Sequence, residues 1–149
     1  MEDVHNEKVE EAATHATDEA RMILPGVQAI MGFQLIAVFN QRFETLHPAD
    51  QTVHLGAFFL IALAMGLLMT PAAYHRLAER GSVTKRFVRL ASSLIALALL
   101  PLLIGLALDS YILVRLVLHD RTVSIAAGLV VLVALSAMWF ALPLMMRRN

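Results

Sequence analysis

Four stretches of the chain, residues 22–41, 53–74, 90–108 and 123–146, contain no Asp, Glu, Lys or Arg. Each approaches or exceeds the roughly 20 residues that an α-helix, rising ~1.5 Å per residue, needs to cross a hydrocarbon layer of ~30 Å. In such a layer every backbone polar group must be satisfied internally, which selects helices for spans of this length. The pattern predicts an all-α integral membrane protein, a four-helix bundle with spans at about 22–41, 53–74, 88–110 and 123–146. These spans make up a transmembrane domain over residues 22–149.

Residues 1–21 read differently. They hold seven of the twelve acids, and no proline or glycine interrupts them before Pro25. Val9, Ala12, Ala13, Ala16 and Ala20 recur near helical spacing and form a narrow stripe of small residues opposite Glu7, Glu10, Glu11 and Asp18. The expectation is an acidic N-terminal helix, too weakly apolar to insert alone and suited to docking on protein. The acids at Glu2, Asp3 and Glu7 are the reverse of a basic leader. Pro25 and Gly26 should break this helix from the first span and let the two meet at an angle.

The connections carry their own signals. His47-Pro48-Ala49-Asp50 marks a turn, with Asp50 placed to cap the next helix. Gly81 should end the second long helix, and Ser82 or Thr84 should start the third. The third apolar run continues from Phe87 to Leu118, interrupted only by Asp109 and Arg115, and is too long for a simple crossing. Either it projects beyond the bilayer as helix to 118, the preferred reading, or 111–118 bends into the interface with Tyr111, Arg115 and His119 at the headgroups. Pro101 should loosen the helix mid-span, with Gly105 one turn later making room for a neighbour.

Composition narrows the classes. The chain is 58% hydrophobic and 16% charged, and it has no cysteine, which excludes disulfides, thiolate metal sites and cysteine nucleophiles. Twelve basic residues balance twelve acids, so no charge excess suggests nucleic acid. Their distribution sets orientation instead. With four spans, nine Lys and Arg fall on the face of both termini and the middle loop, against Arg42, Arg115 and Arg121 on the other. Positive charge stays inside, so both termini are expected to be cytoplasmic.

Candidate chemistry is sparse. Gln28, Gln34, Asn40 and Gln41 are the polar side chains of the first span, and in hydrocarbon such groups need protein partners. Gln34 and Gln41, seven apart, should share a helical face, either lining a polar path or serving as interhelical glue. Asp109 is the one acid near membrane depth, where it could carry protons or attract cations, or simply mark the outer interface. Tyr111 and Arg115, four apart, suit a cation–π contact; an Asp109–Arg115 pair does not fit one helix. Small residues at four-residue spacing, Ala62/Gly66/Thr70, Ser92/Ala96 and Ser124/Gly128 with Ser136, let helices approach closely within the bundle or between copies.

At the inner face Arg76, Arg80, Lys85, Arg86 and Arg89 gather around one loop. They set topology, and they offer a docking surface for anionic lipid or for the acidic helix. Glu11, His15 and Asp18 or Glu19 share a helical face, but histidine and carboxylates are common on solvated helices, and no metal is assigned. No phosphate loop, serine elbow or paired intramembrane carboxylates occur. Neither an enzyme nor a cofactor is expected.

At Leu24-Pro25-Gly26-Val27-Gln28, Thr70-Pro71-Ala72-Ala73-Tyr74-His75-Arg76, Arg86-Phe87-Val88-Arg89-Leu90-Ala91 and Trp139-Phe140-Ala141-Leu142-Pro143, the chain resembles a family of small four-span bacterial membrane proteins of unassigned function. The resemblance implies a bacterial inner membrane location, and some relatives carry a sodium/proton antiporter label. The spans' lack of paired carboxylates points away from ion-coupled exchange. The leading expectation is a homo-oligomer, self-associating in the lipid bilayer and acting in ion or small-solute permeation as a channel. The alternative is a non-transporting accessory or scaffold subunit of a larger membrane complex.

Orientation can be checked with single cysteines, since the chain has none of its own. Thr45→Cys should react with a membrane-impermeant maleimide added to intact cells, and Ser82→Cys only after the cells are opened.

Overall fold

A computed structural model describes residues 2–78 and 84–147, with side chains from residue 10 onward. The elements are α1 (Glu2–Val38), a single turn α2 (Gln41–Glu44), α3 (Pro48–Ala78), α4 (Lys85–Leu118), α5 (Arg121–Ser136), a π-helical turn (Ala137–Ala141) and α6 (Leu142–Met146). Among the described residues there are four helices long and apolar enough to cross a membrane: Glu10–Val38, Pro48–Ala78, Lys85–Leu118 and Arg121–Met146.

α4 packs against α1, α3 and α5, and so forms the shared wall of the bundle. The seams follow a simple spacing. Along α3 the buried positions are Asp50, His54, Ala57, Ile61, Ala64, Leu68 and Pro71, alternately four and three residues apart. Along α4, Ala91, Ile95, Ala98, Leu102, Gly105 and Ile112 follow the same alternation, with half-buried Asp109 at the intervening position. An average spacing near 3.5 keeps a narrow stripe facing a neighbour nearly parallel to it, the geometry of coiled-coil packing.

α1 joins this pair with Ala13, Ala16, Ala20, Val27 and Gln34, each under 9% exposed. Ala13 and Thr17 lie beside His75 and Phe87 at one end of the bundle. Gln34 meets Asp109 and His54 at the other. α1 therefore runs parallel to α4 and antiparallel to α3. The acidic segment does dock on protein, through Ala13, Ala16 and Ala20, while Ala12 is exposed and the side chain of Val9 lies outside the described residues.

Several sequence expectations are corrected. α1 passes through Pro25 and Gly26 as one helix, because a proline removes a single backbone bond and the docked alanine face holds both halves in place. It ends at Val38, short of residue 41, so Gln34 and Gln41 share no helical face. The side chain of His47, rather than Asp50, accepts the Ala49 N–H at the start of α3. Thr84 caps α4 by accepting from the Phe87 N–H at 3.2 Å; Gly81 and Ser82 lie outside the described residues.

The third long helix continues to Leu118 without bending, 34 residues ending at His119, whose φ of 57° is left-handed. The small residues divide. Ser124 and Gly128 are buried against α4, but Gly66, Thr70, Ser92 and Ala96 face outward and take no part in the intramolecular seams. Along the fourth span the helix widens to a π turn just before Pro143, whose ring would otherwise meet the carbonyl of Trp139.

Two glycines set the interhelical distances. A Cβ on Gly105 would lie 2.6 Å from Ile61 Cδ1, and one on Gly128 would lie 3.0 Å from the Ala107 carbonyl and 3.3 Å from Tyr111 Cβ. Gly128→Val should therefore destabilise the fold by about 1–3 kcal/mol, because backbone cannot yield as a side-chain tip can. Gly66→Ala, with open space around the new methyl, should leave stability unchanged or raise it by up to about 1 kcal/mol. Unfolding in mixed detergent micelles measures both.

Candidate functional site

At the end of the bundle that carries Asp50 and His119, all three seams turn polar at the same level. The side chain of Gln34 on α1 donates from Nε2 to both carboxylate oxygens of Asp109 on α4, at 2.9 and 2.8 Å. His54 on α3 places Nε2 3.0 Å from the backbone oxygen of Gln34. A carbonyl only accepts, so this nitrogen carries the hydrogen. Gln34 and His54 are 4% and 5% exposed, burial at which an unmatched polar group is costly. Two atoms nonetheless lack hydrogen-bond partners, Gln34 Oε1 and His54 Nδ1.

One turn of α3 before His54, Asp50 organises a second group. Its Oδ1 accepts from the Tyr111 hydroxyl at 2.5 Å, and its Oδ2 from Arg115 Nε at 3.1 Å. Arg115 also donates from Nη1 to the carbonyl of His119 at 2.6 Å, which ties the ion pair to the end of α4. Tyr111 and Arg115 thus meet through Asp50, in place of the ring-to-guanidinium contact expected from their spacing. The four-residue step places both on one face of α4, and α3 supplies the acid between them.

α2 closes this end. Asn40 sits outside α1 and caps α2 by accepting from the Arg42 N–H. Phe43, buried, meets the His54 ring edge-on with centroids 5.0 Å apart. Gln51 donates to the carbonyl of Phe43 at 3.2 Å and lies 3.4 Å from that of Leu46, holding the turn against α3.

Of the residues singled out from the sequence, Gln34 and Asp109 come together, Gln34 acting between helices. Gln28, Asn40 and Gln41 are exposed and apart from them. Asp50, His54, Tyr111 and Arg115 complete the group. Their signal was available in the alternating four-three spacing: polar residues that stay in phase with an apolar seam are aimed at its neighbour.

Asp109 faces a groove of about 310 Å³, lined also by Ile30, Phe33, Leu106, Ser110 and Leu113. No Lys or Arg pairs with it among the described residues, since the guanidinium on its helix is engaged by Asp50. At the opposite end Arg76, Lys85, Arg86 and Arg89 are exposed, and Arg80 lies outside the described residues. The ion pairs of the N-terminal segment are local, Arg21 to Asp18 at 3.5 Å and His15 to Glu11 at 3.9 Å; none reaches that basic group among the described residues.

The Asp50 group should hold the ends of α3 and α4 together. Asp50→Ala leaves a guanidinium and a phenol without their acceptor and should cost about 1–3 kcal/mol. A double-mutant cycle of Asp50→Ala with Arg115→Leu, followed by unfolding in micelles, should show the two losses to be less than additive.

No curated protein and no solved structure matches the chain. A family model described as a family of unknown function matches residues 2–143, from the acidic segment through the proline of the last helix. The polar cluster and the seams that carry it lie wholly within that match, and the chain belongs to this family of unknown function, DUF6328.

Proposed function

We propose that the protein is a small bacterial inner-membrane protein with both termini on the cytoplasmic side, working as a homo-oligomer in ion or small-solute permeation. The observation that carries this reading is the Asp109 carboxylate, held by Gln34 at the end of the seams without a cationic partner among the described residues. Ionisable groups at or near membrane depth are costly and mark ion pathways more often than they serve packing.

A single copy encloses no polar route. Between Phe87 and Leu102 the seams are filled by Ile61, Ala64, Leu68, Ala91, Ile95 and Ala98, all buried. The pathway must then run between copies, with α1 nearest the symmetry axis. Gln28 favours this placement, since it projects from the exposed side of α1, where an amide facing hydrocarbon gains from a partner on another chain. The outward Gly66, Thr70, Ser92 and Ala96 offer a close-approach surface for such packing.

The second reading is a scaffold subunit. It draws on the exposure of Glu10, Glu11, Asp18 and Glu19 once the alanine stripe is docked, an acidic face available to a larger complex.

Reconstitution into liposomes separates the two. Wild type should conduct, Asp109→Asn should reduce cation flux by about tenfold, equivalent to roughly 1.4 kcal/mol, and Gln28→Cys should crosslink between copies. Absence of flux for cations, anions and protons, together with a monomeric state, would leave the scaffold reading.

A further inference from the structure

The polar cluster has more acceptors than donors. Asp109 presents two carboxylate oxygens, and the only side-chain donor engaging them is the Gln34 amide. That amide's own oxygen is unpaired, as is His54 Nδ1, which in the neutral ring is a lone pair because Nε2 holds the hydrogen against the Gln34 carbonyl. The Ser110 hydroxyl donates away, to the carbonyl of Leu106 at 2.8 Å. One formal negative charge and two orphaned acceptors therefore stand together.

The surroundings set the rest of the chemistry. The groove beside Asp109, about 310 Å³, runs between α1 and α4 and is walled by Ile30, Phe33, Leu106, Ile112, Leu113 and Leu116. Aliphatic and aromatic walls around one anionic group with surplus acceptors complement a body that is apolar except for one cationic donor. A hydrated metal ion would leave those walls wet, and a neutral hydrophobe would leave the carboxylate without a counter-charge. A guanidinium demands a planar fork of donors, whereas a primary ammonium brings three donors on one compact charge.

We infer that the groove between α1 and α4 binds a small amphiphilic primary amine in its ammonium form, with Asp109 as the counter-ion and the apolar body against Phe33 and Leu113. Gln34 is a positioning residue. Its amide holds the carboxylate in the empty groove, and rotation about its last bond turns Oε1, now unpaired, toward an arriving donor. The inference shares Asp109 with the permeation reading but can fail separately from it: amine binding without ion flux keeps the site and removes the permeation reading, and flux without amine binding does the reverse.

The probe is 2-phenylethylammonium, titrated into the full-length protein in nanodiscs of phosphatidylcholine and followed by calorimetry or ligand-observed NMR. Saturable binding is expected, with 2-phenylethanol, its neutral isostere, at least about tenfold weaker. Asp109→Asn, which keeps shape and can still pair with Gln34, should lose binding by a similar factor while its unfolding midpoint stays near that of wild type. Gln34→Glu adds a second carboxylate, and Gln34→Leu removes the positioning amide. The first should retain binding of the amine and the second weaken it, a contrast that altered packing alone would not produce.

Equal binding of the alcohol, or binding indifferent to Asp109→Asn, would overturn the proposal. So would loss of amine binding on adding phosphatidylethanolamine to the discs, which would assign the groove to a lipid. A crosslink between Phe33→Cys and Leu113→Cys on separate copies, with no amine bound, would assign it to a second chain and equally remove the inference.

Discussion

The close approach of α4 to its neighbours is the constraint on which the rest of the molecule depends. Where Gly105 faces Ile61 and Gly128 faces the backbone of Ala107, the absence of a side chain sets how near the helices lie. In lipid there is no hydrophobic force to press helices together, so contact area between well-fitted surfaces does most of the work. Small residues on α4, Ala91, Ala98, Gly105 and Ala107, let three helices share one wall. The same nearness allows side chains as short as Asp50 and Asp109 to reach their partners on other helices.

The two acids at that end of the bundle have opposite circumstances. Asp50 is flanked by a guanidinium and a phenol, both anchored on α4, and its charge is matched in a pair that also fastens the helix end. Asp109 receives one neutral amide and opens on an apolar groove. The first arrangement is structural. The second leaves charge and hydrogen-bonding capacity unspent, which distinguishes a site from a strut.

Much of the architecture was legible from residues alone. The four charge-free stretches marked the long helices, Thr84 was among the caps named, Gly105 was recognised as a close-approach position, and the alanine stripe of α1 docks as its spacing suggested. What was not legible is instructive. Proline at 25 reads as a break, yet a helix held along its face by neighbours tolerates one missing bond. Gly66 and Ala96 obey the spacing of a packing motif but sit on outward faces, because small residues declare where a helix can be approached and not by whom. The polar cluster was half visible: Gln34 and Asp109 were singled out separately, but pairing across 75 positions depends on the relative depth of α1 and α4, which connection lengths alone do not set.

The fourth long helix illustrates a further consequence of the π turn. One extra residue in that turn rotates everything after it by about 100° relative to the face α5 began with. Ser124 and Gly128 sit on α4 at the start, and Trp139, within the widened turn, packs back on the core near the other end. Val130 and Val133 between them are exposed. The helix is in effect a beam pinned at two supports with an unsupported middle. A beam of this kind bows outward at mid-length under small loads, while its ends, and the groove and polar cluster on the far side of α4, keep their places.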